Sequence, residues 1–122
     1  MPGTRPTIAS LRAAQRRFAE ARDWPQFHTP KNLAMALSVE AAELLELTQW
    51  KSDAEVEALP ADPVIREALH DECADILLYL LLIAETAGID LAAAARAKLV
   101  KNAQKYPVAK AYGSRAKYTE LG

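Results

Sequence analysis

Glu40-Ala-Ala-Glu43 and Glu72-Cys-Ala-Asp75 are two pairs of carboxylates with the same spacing. On a helix, residues three apart share one face. A single such pair is ordinary solvated surface. Two pairs on long helices packed antiparallel through a short linker can converge into a set of four oxygen ligands. An all-oxygen set suits a hard cation, Mg²⁺ or Mn²⁺. Trp50 follows two turns after Glu43 on nearly the same face, and Tyr79 one turn after Asp75. A base or a sugar can therefore lie beside the ion.

Other chemistries are less well served. Glu67-Ala-Leu-His70 matches the Glu-x-x-His motif of di-iron carboxylate bundles once, but that site needs the motif on two helices. Glu67 also sits about 140° around the helix from Glu72. Cys73 lies on an apolar turn beside no obvious base, which argues against a thiol nucleophile, and no Ser-His-Asp grouping stands out. The loop Asp23-Trp24-Pro25-Gln26-Phe27-His28 is dense in aromatics. Trp24 and Phe27 either pack over a bundle end or rim a pocket for a flat ligand. His28 taken alone reads as structural.

The elements that must hold these residues are helices. Thr7 or Ser10 can cap a first helix to about Arg22, with Ile8, Leu11, Ala14 and Phe18 at helical spacing. Thr29-Pro30 starts a second, since a capping side chain followed by proline is a favoured helix opening; it is expected to reach about Trp50. Lys51 to Asp62 reads as a polar linker, in which Pro60 would end any helix begun there. Asp62-Pro63 repeats the opening for a third helix, which Gly88 ends near Ala87. Asp90 caps a fourth, running to about Lys105 before Pro107. On that helix Lys98, Asn102 and Lys105 form one polar stripe. Residues 1–6 and 108–122 are expected to be loosely ordered arms on a single domain. No segment shows strand-like alternation, so the fold is read as all-α, a bundle of about four helices.

The third helix carries a further message. From Ile76 to Ala84 only Tyr79 has a polar side-chain atom, and Leu77, Leu78, Leu80, Leu81, Leu82 and Ile83 cover the whole circumference. A surface helix shows one apolar stripe; this one predicts burial on all sides. A chain of 122 residues cannot easily enclose it alone, which points to a second subunit. The run is too short, and too closely flanked by acids, to span a membrane.

Charge is unevenly placed. Thirteen acids and two bases lie between Ser38 and Asp90, and seven bases with no acid between Leu91 and Thr119. Such runs are commonly solvated faces; here they also match an acidic wall for metal and a basic wall for phosphates. So many acids argue against a nucleic-acid binder. Lone Cys73 offers no internal disulfide, as in a reducing cytoplasm, and the N-terminal MPGTRPTIAS has no apolar signal core.

The acid pairs resemble the ExxE…ExxD signature of the all-α nucleoside triphosphate pyrophosphohydrolases, the MazG-like superfamily. DWPQFHTPKNLAMAL, ELTQWK, DILLYLLLIAE, KNAQKYPV and KYTEL are similar to its dCTP pyrophosphatase branch. The resemblance implies Mg²⁺-dependent cleavage of a nucleoside triphosphate, dCTP or a modified dCTP, to the monophosphate and pyrophosphate. It implies that Glu40, Glu43, Glu72 and Asp75 hold the metal and that Glu40 or Glu43 helps deprotonate water. It places His28 and Trp50 at the base, Tyr79 at the sugar, and Lys98, Asn102 and Lys105 on the phosphate and sugar side. It also implies a homo-oligomer, usually a tetramer. Two other readings remain at this point: a broader pyrophosphohydrolase for non-standard dNTPs, and a non-catalytic helical interaction module whose acids are surface decoration.

Overall fold

The computed structural model describes residues 5–122; Pro2 and Gly3 of the expected N-terminal arm lie outside them. Six α-helices and no strand occur among the described residues: α1 (Ile8–Glu20), α2 (Pro30–Glu46), α3 (Asp53–Ala58), α4 (Pro63–Ala87), α5 (Leu91–Lys105) and α6 (Val108–Ala111). They form two compact units, the first closing at Ile89 and the second being Asp90–Gly122. The all-α reading holds.

The helix starts follow the sequence. Thr7 and Ser10 act together as a capping box: Ser10 N–H donates to Thr7 Oγ1 at 3.0 Å and Thr7 N–H to Ser10 Oγ at 2.8 Å. Thr29 Oγ1 accepts from Asn32 N–H, with Pro30 in the first turn. Asp62 Oδ1 takes the Val64 N–H at 2.9 Å, and Asp90 Oδ1 the Ala93 N–H at 3.0 Å. Each cap satisfies a donor that the first helical turn leaves without a partner. Gly88 closes α4 at φ 68°, a left-handed conformation that glycine adopts without a Cβ penalty.

Two expectations need correction. α2 stops at Glu46, and residues 47–50 form a turn, so Trp50 is not on the helix. The linker does begin a helix, and it ends before Pro60 as expected. Ser52 and Glu55 build a second capping box, and Asp53 and Glu55 sit in the first turn of α3, where the helix dipole favours acids. Pro60 then lies in a 3₁₀ turn, Leu59–Ala61. The C-terminal segment holds α6 and a 3₁₀ turn, Tyr118–Glu120.

In the first unit, α2 and α1 both pack on α4. The core at their seams is small: Ala19, Leu33, Leu81, Leu82 and Ala84. Within one chain the predicted all-round burial of α4 is reached only at Leu81, Leu82 and Ala84, and Leu77, Leu78, Leu80 and Ile83 are half-buried. Polar bonds tie α1 to the end of α4. Arg12 and Arg16 both pair with Glu85. Arg12 also donates to the Ile89 carbonyl at 3.0 Å and the Ala84 carbonyl at 3.4 Å. Cationic groups suit the C-terminal end of a helix, where carbonyls lack partners.

Candidate active site

The α2–α4 seam does more than bury leucines. Counting inward-facing positions along α2 gives Leu33, Leu37, Glu40 and Leu44, all at least half-buried. Glu40 therefore points at α4 because helical period places it on the packed side. On α4, Glu72 and Asp75 precede the apolar run. Carboxylate oxygens of Glu40, Glu72 and Asp75 lie within 4.8 Å of one another. One oxygen of Glu40 and one of Glu72 are shut off from solvent with no hydrogen-bond partner among the described residues.

The electrostatics register this crowding. Burial pushes the Glu40 carboxyl up to about 7, helped by the close approach of the Glu72 and Glu43 carboxyls and by repulsion from Glu43 and Asp75. Burial is also the main cause that raises Glu72. Glu43 thus stands beside both, although the tight three-oxygen group does not include it. Desolvated carboxylates facing each other without a cation are unfavourable. A divalent cation fits: it would satisfy the orphaned oxygens with hard donors and offset the like charges. A second grouping, Glu67, His70 and Asp71, is fully exposed. With no matching motif on another helix, it does not make a di-iron centre.

Beside the acids opens a cavity of about 470 Å³, within the size range of small-molecule pockets. Glu40 and Asp75 form its charged wall; Leu78, Tyr79 and Leu82 continue it along α4. The opposite wall is Gln15 and Phe18 of α1 with Trp24 and His28 of the following loop. The loop is held in place locally. Trp24 N–H donates to the Ala19 carbonyl at 3.0 Å, Asn32 Nδ2 donates to the Phe27 carbonyl at 3.0 Å, and Asp23 turns the chain at φ 55°. Phe18 and Trp24 meet edge to face, their centroids 5.6 Å apart, and the Arg22 guanidinium covers the Phe18 ring.

Of the residues singled out in the sequence, Glu40, Asp75, His28 and Tyr79 share this cavity, and Glu72 adjoins it through the acid cluster. Trp50 does not line it and is 87% exposed. Lys98, Asn102 and Lys105 lie on α5 in the second unit, where Lys105 Nζ sits 4.8 Å above the Tyr118 ring. The sequence reading leaves Gln15 unnamed and has Phe18 only in the apolar spacing of α1, whereas both line the cavity. Their three-residue spacing just before the aromatic loop was the available signal.

The acid pairs and the apolar run of α4 fall inside a stretch, residues 35–121, that matches the MazG-like family. The chain belongs to this family. The match begins after Gln15, Trp24 and His28, so it covers the acids but not the far wall of the cavity. Longer likenesses reach that wall. The MazG-like chain is 46% identical over 116 residues to dCTP pyrophosphatase 1 of Rattus norvegicus, covering 95% of this chain and 68% of that protein. It is 43% identical to dCTP pyrophosphatase 1 of Homo sapiens over the same length, with the same coverage. A solved pyrophosphatase from Archaeoglobus fulgidus superposes with a TM-score of 0.75 at 38% identity, covering 88% of this chain and 98% of that one.

Proposed function

We propose that this chain hydrolyses dCTP, or a dCTP modified on its base, to the monophosphate and pyrophosphate with Mg²⁺. Its class is nucleoside triphosphate pyrophosphohydrolase, and the interaction-module reading falls away. The observation that carries the proposal is the pair of orphaned, solvent-free carboxylate oxygens of Glu40 and Glu72 next to Asp75, opening on an aromatic cavity. An acid cluster serving only as surface decoration would face water.

Glu40, Glu43, Glu72 and Asp75 would hold the cation. Bound there, Mg²⁺ would lower the pKa of water and neutralise charge on phosphoryl oxygens. Glu40 or Glu43 takes the proton of the attacking water, as a carboxylate beside the reacting oxygen can. His28 and Trp50 are assigned to the base and Tyr79 to the sugar. Lys98, Asn102 and Lys105 take the phosphate and sugar side, where the two lysines suit the β and γ phosphates as leaving group. With aromatic residues beside the acids, attack falls at the α-phosphorus. The small core and half-buried α4 leucines support a homo-oligomer, assigned as a tetramer.

The test is incubation with a dNTP panel and Mg²⁺ in ¹⁸O-labelled water. Monophosphate carrying the label and unlabelled pyrophosphate are expected, with dCTP or its modified forms turned over fastest. Label in pyrophosphate, or orthophosphate with a nucleoside diphosphate as first products, would overturn the layout of the site.

A further inference from the structure

Gln15 stands out on the cavity wall. It is half-buried and faces the same space as Trp24, His28 and Tyr79. Its neighbours Arg12 and Arg16 are committed to Glu85, whereas the Gln15 amide has no such bond among the described residues. An amide placed in an aromatic pocket without a protein partner is matched by a ligand that offers both a donor and an acceptor side by side. The rings supply stacking faces, which every base satisfies alike; they cannot read the edge of the ring. Tyr79 and His28 can each donate and accept, but of the uncharged side chains of the pocket only the carboxamide sets a donor and an acceptor on two atoms side by side, the spacing of a base edge.

Resting on the pyrophosphohydrolase reading, we propose that Gln15 determines base specificity by pairing with the polar edge of a pyrimidine. Cytosine presents an amino donor beside a ring acceptor, and thymine presents a carbonyl acceptor beside a ring N–H. A carboxamide meets either pattern by turning over, with two hydrogen bonds each time. Nothing among the described residues fixes its orientation, so Gln15 selects for a polar pyrimidine edge rather than for cytosine over thymine.

The experiment compares kcat/KM of wild type and Gln15→Met on dCTP, dTTP and a deoxynucleoside triphosphate whose base is the apolar, thymine-shaped difluorotoluene ring. Methionine keeps the length and removes both hydrogen bonds. The variant should lose about tenfold to a hundredfold on dCTP and dTTP alike, and no more than about twofold on the apolar analogue. Gln15→Asn, which keeps the amide but withdraws it by one methylene, should lose the same two substrates and guards against misfolding of the methionine variant. Equal loss on all three substrates, or no loss on any, overturns the edge contact. Loss confined to dCTP overturns the free orientation. Wild type that releases no pyrophosphate from any of them removes the nucleotide reading itself, an outcome distinct from a failure of Gln15 alone.

Discussion

The two long faces of α2 are built in opposite senses. The face toward α4 carries Glu40, half-buried among leucines, Glu43 lies on its flank one turn from Val39, and the other face exposes Met35 at 58%, Val39 at 56% and Leu45 at 58%. An ordinary amphipathic helix hides its apolar residues and shows its charges. α2 keeps Leu33, Leu37 and Leu44 on the packed side but buries an acid, Glu40, with them and leaves three large apolar side chains outside. The proposed function accounts for the buried acid as a cation ligand, and the proposed oligomer would cover the apolar residues on the open side.

The strongest way to break the comparison is to neutralise the acids at the inward face. Glu43→Gln or Asp75→Asn should lower turnover roughly a thousandfold or more, since a cation at the phosphoryl group is worth several kcal/mol, with helicity by circular dichroism unchanged. Activity near wild type at ordinary Mg²⁺ would falsify the ligand assignment. The core behind that face is tested by Leu81→Ala. Leu81 is 1% exposed, and truncating such a leucine costs about 2–5 kcal/mol, read as a fall in the urea midpoint.

The outward face is tested by Val39→Glu. A charge there should reduce the mass measured by light scattering, because an ion buried between subunits is costly. A wild type that scatters as a compact monomer would end the partner explanation. Trp50, in the turn after α2 and 87% exposed, gives a smaller effect. Its change to Ala should raise KM by about tenfold if it stacks on a base, as ~1–3 kcal/mol of stacking implies, with kcat nearly kept.

The smallest effects are in pH. Glu40 is raised toward 7 in the folded chain, so its contribution is fully present below the unfolded value near 4.5 and is lost as pH rises through 7. In EDTA, Glu40→Gln should therefore gain thermal stability over wild type more at pH 8 than at pH 5. Glu85 goes the other way. Hydrogen bonds from Arg12 and Arg16 hold it below its usual value, so its contribution is present above the unfolded value and is lost as pH falls through the folded one. The penalty of Glu85→Gln should fade in acid, followed by thermal melts; a penalty constant in pH would remove the ion pair from the account.

The sequence made the helix openings and the acid pairs legible for a common reason: both depend on residues within a few positions of each other. Thr29-Pro30, Asp62-Pro63, Asp90 and Gly88 are local instructions, and the three-residue spacing of the acids is fixed by helical period. Helix α3 was hidden because six residues are too few to show periodicity, and its Ser52–Glu55 capping box sits in a stretch that reads as polar linker. The end of α2 was overrun because Leu47 continues the apolar pattern into the turn. Gln15 and Phe18 were missed as cavity residues for a different reason. The cavity wall is assembled from α1 and α4, more than sixty residues apart, and neither residue type announces chemistry alone. Trp24 was visible as an aromatic, but only the packing of its loop turns it toward the acids.

The Arg12 contacts have a kinetic consequence. The Gly88 and Ile89 amides both close on the Ala84 carbonyl, which Arg12 also reaches from α1. Lifting α1 removes that support and the Gln15–Phe18 side of the cavity in one motion. Opening of the pocket and fraying of the last turn of α4 are thus a single cooperative event. In deuterium exchange, the amides at Gly88 and Ile89 should share one opening free energy with those in the middle of α1, and a bound nucleotide should slow both sets by the same factor.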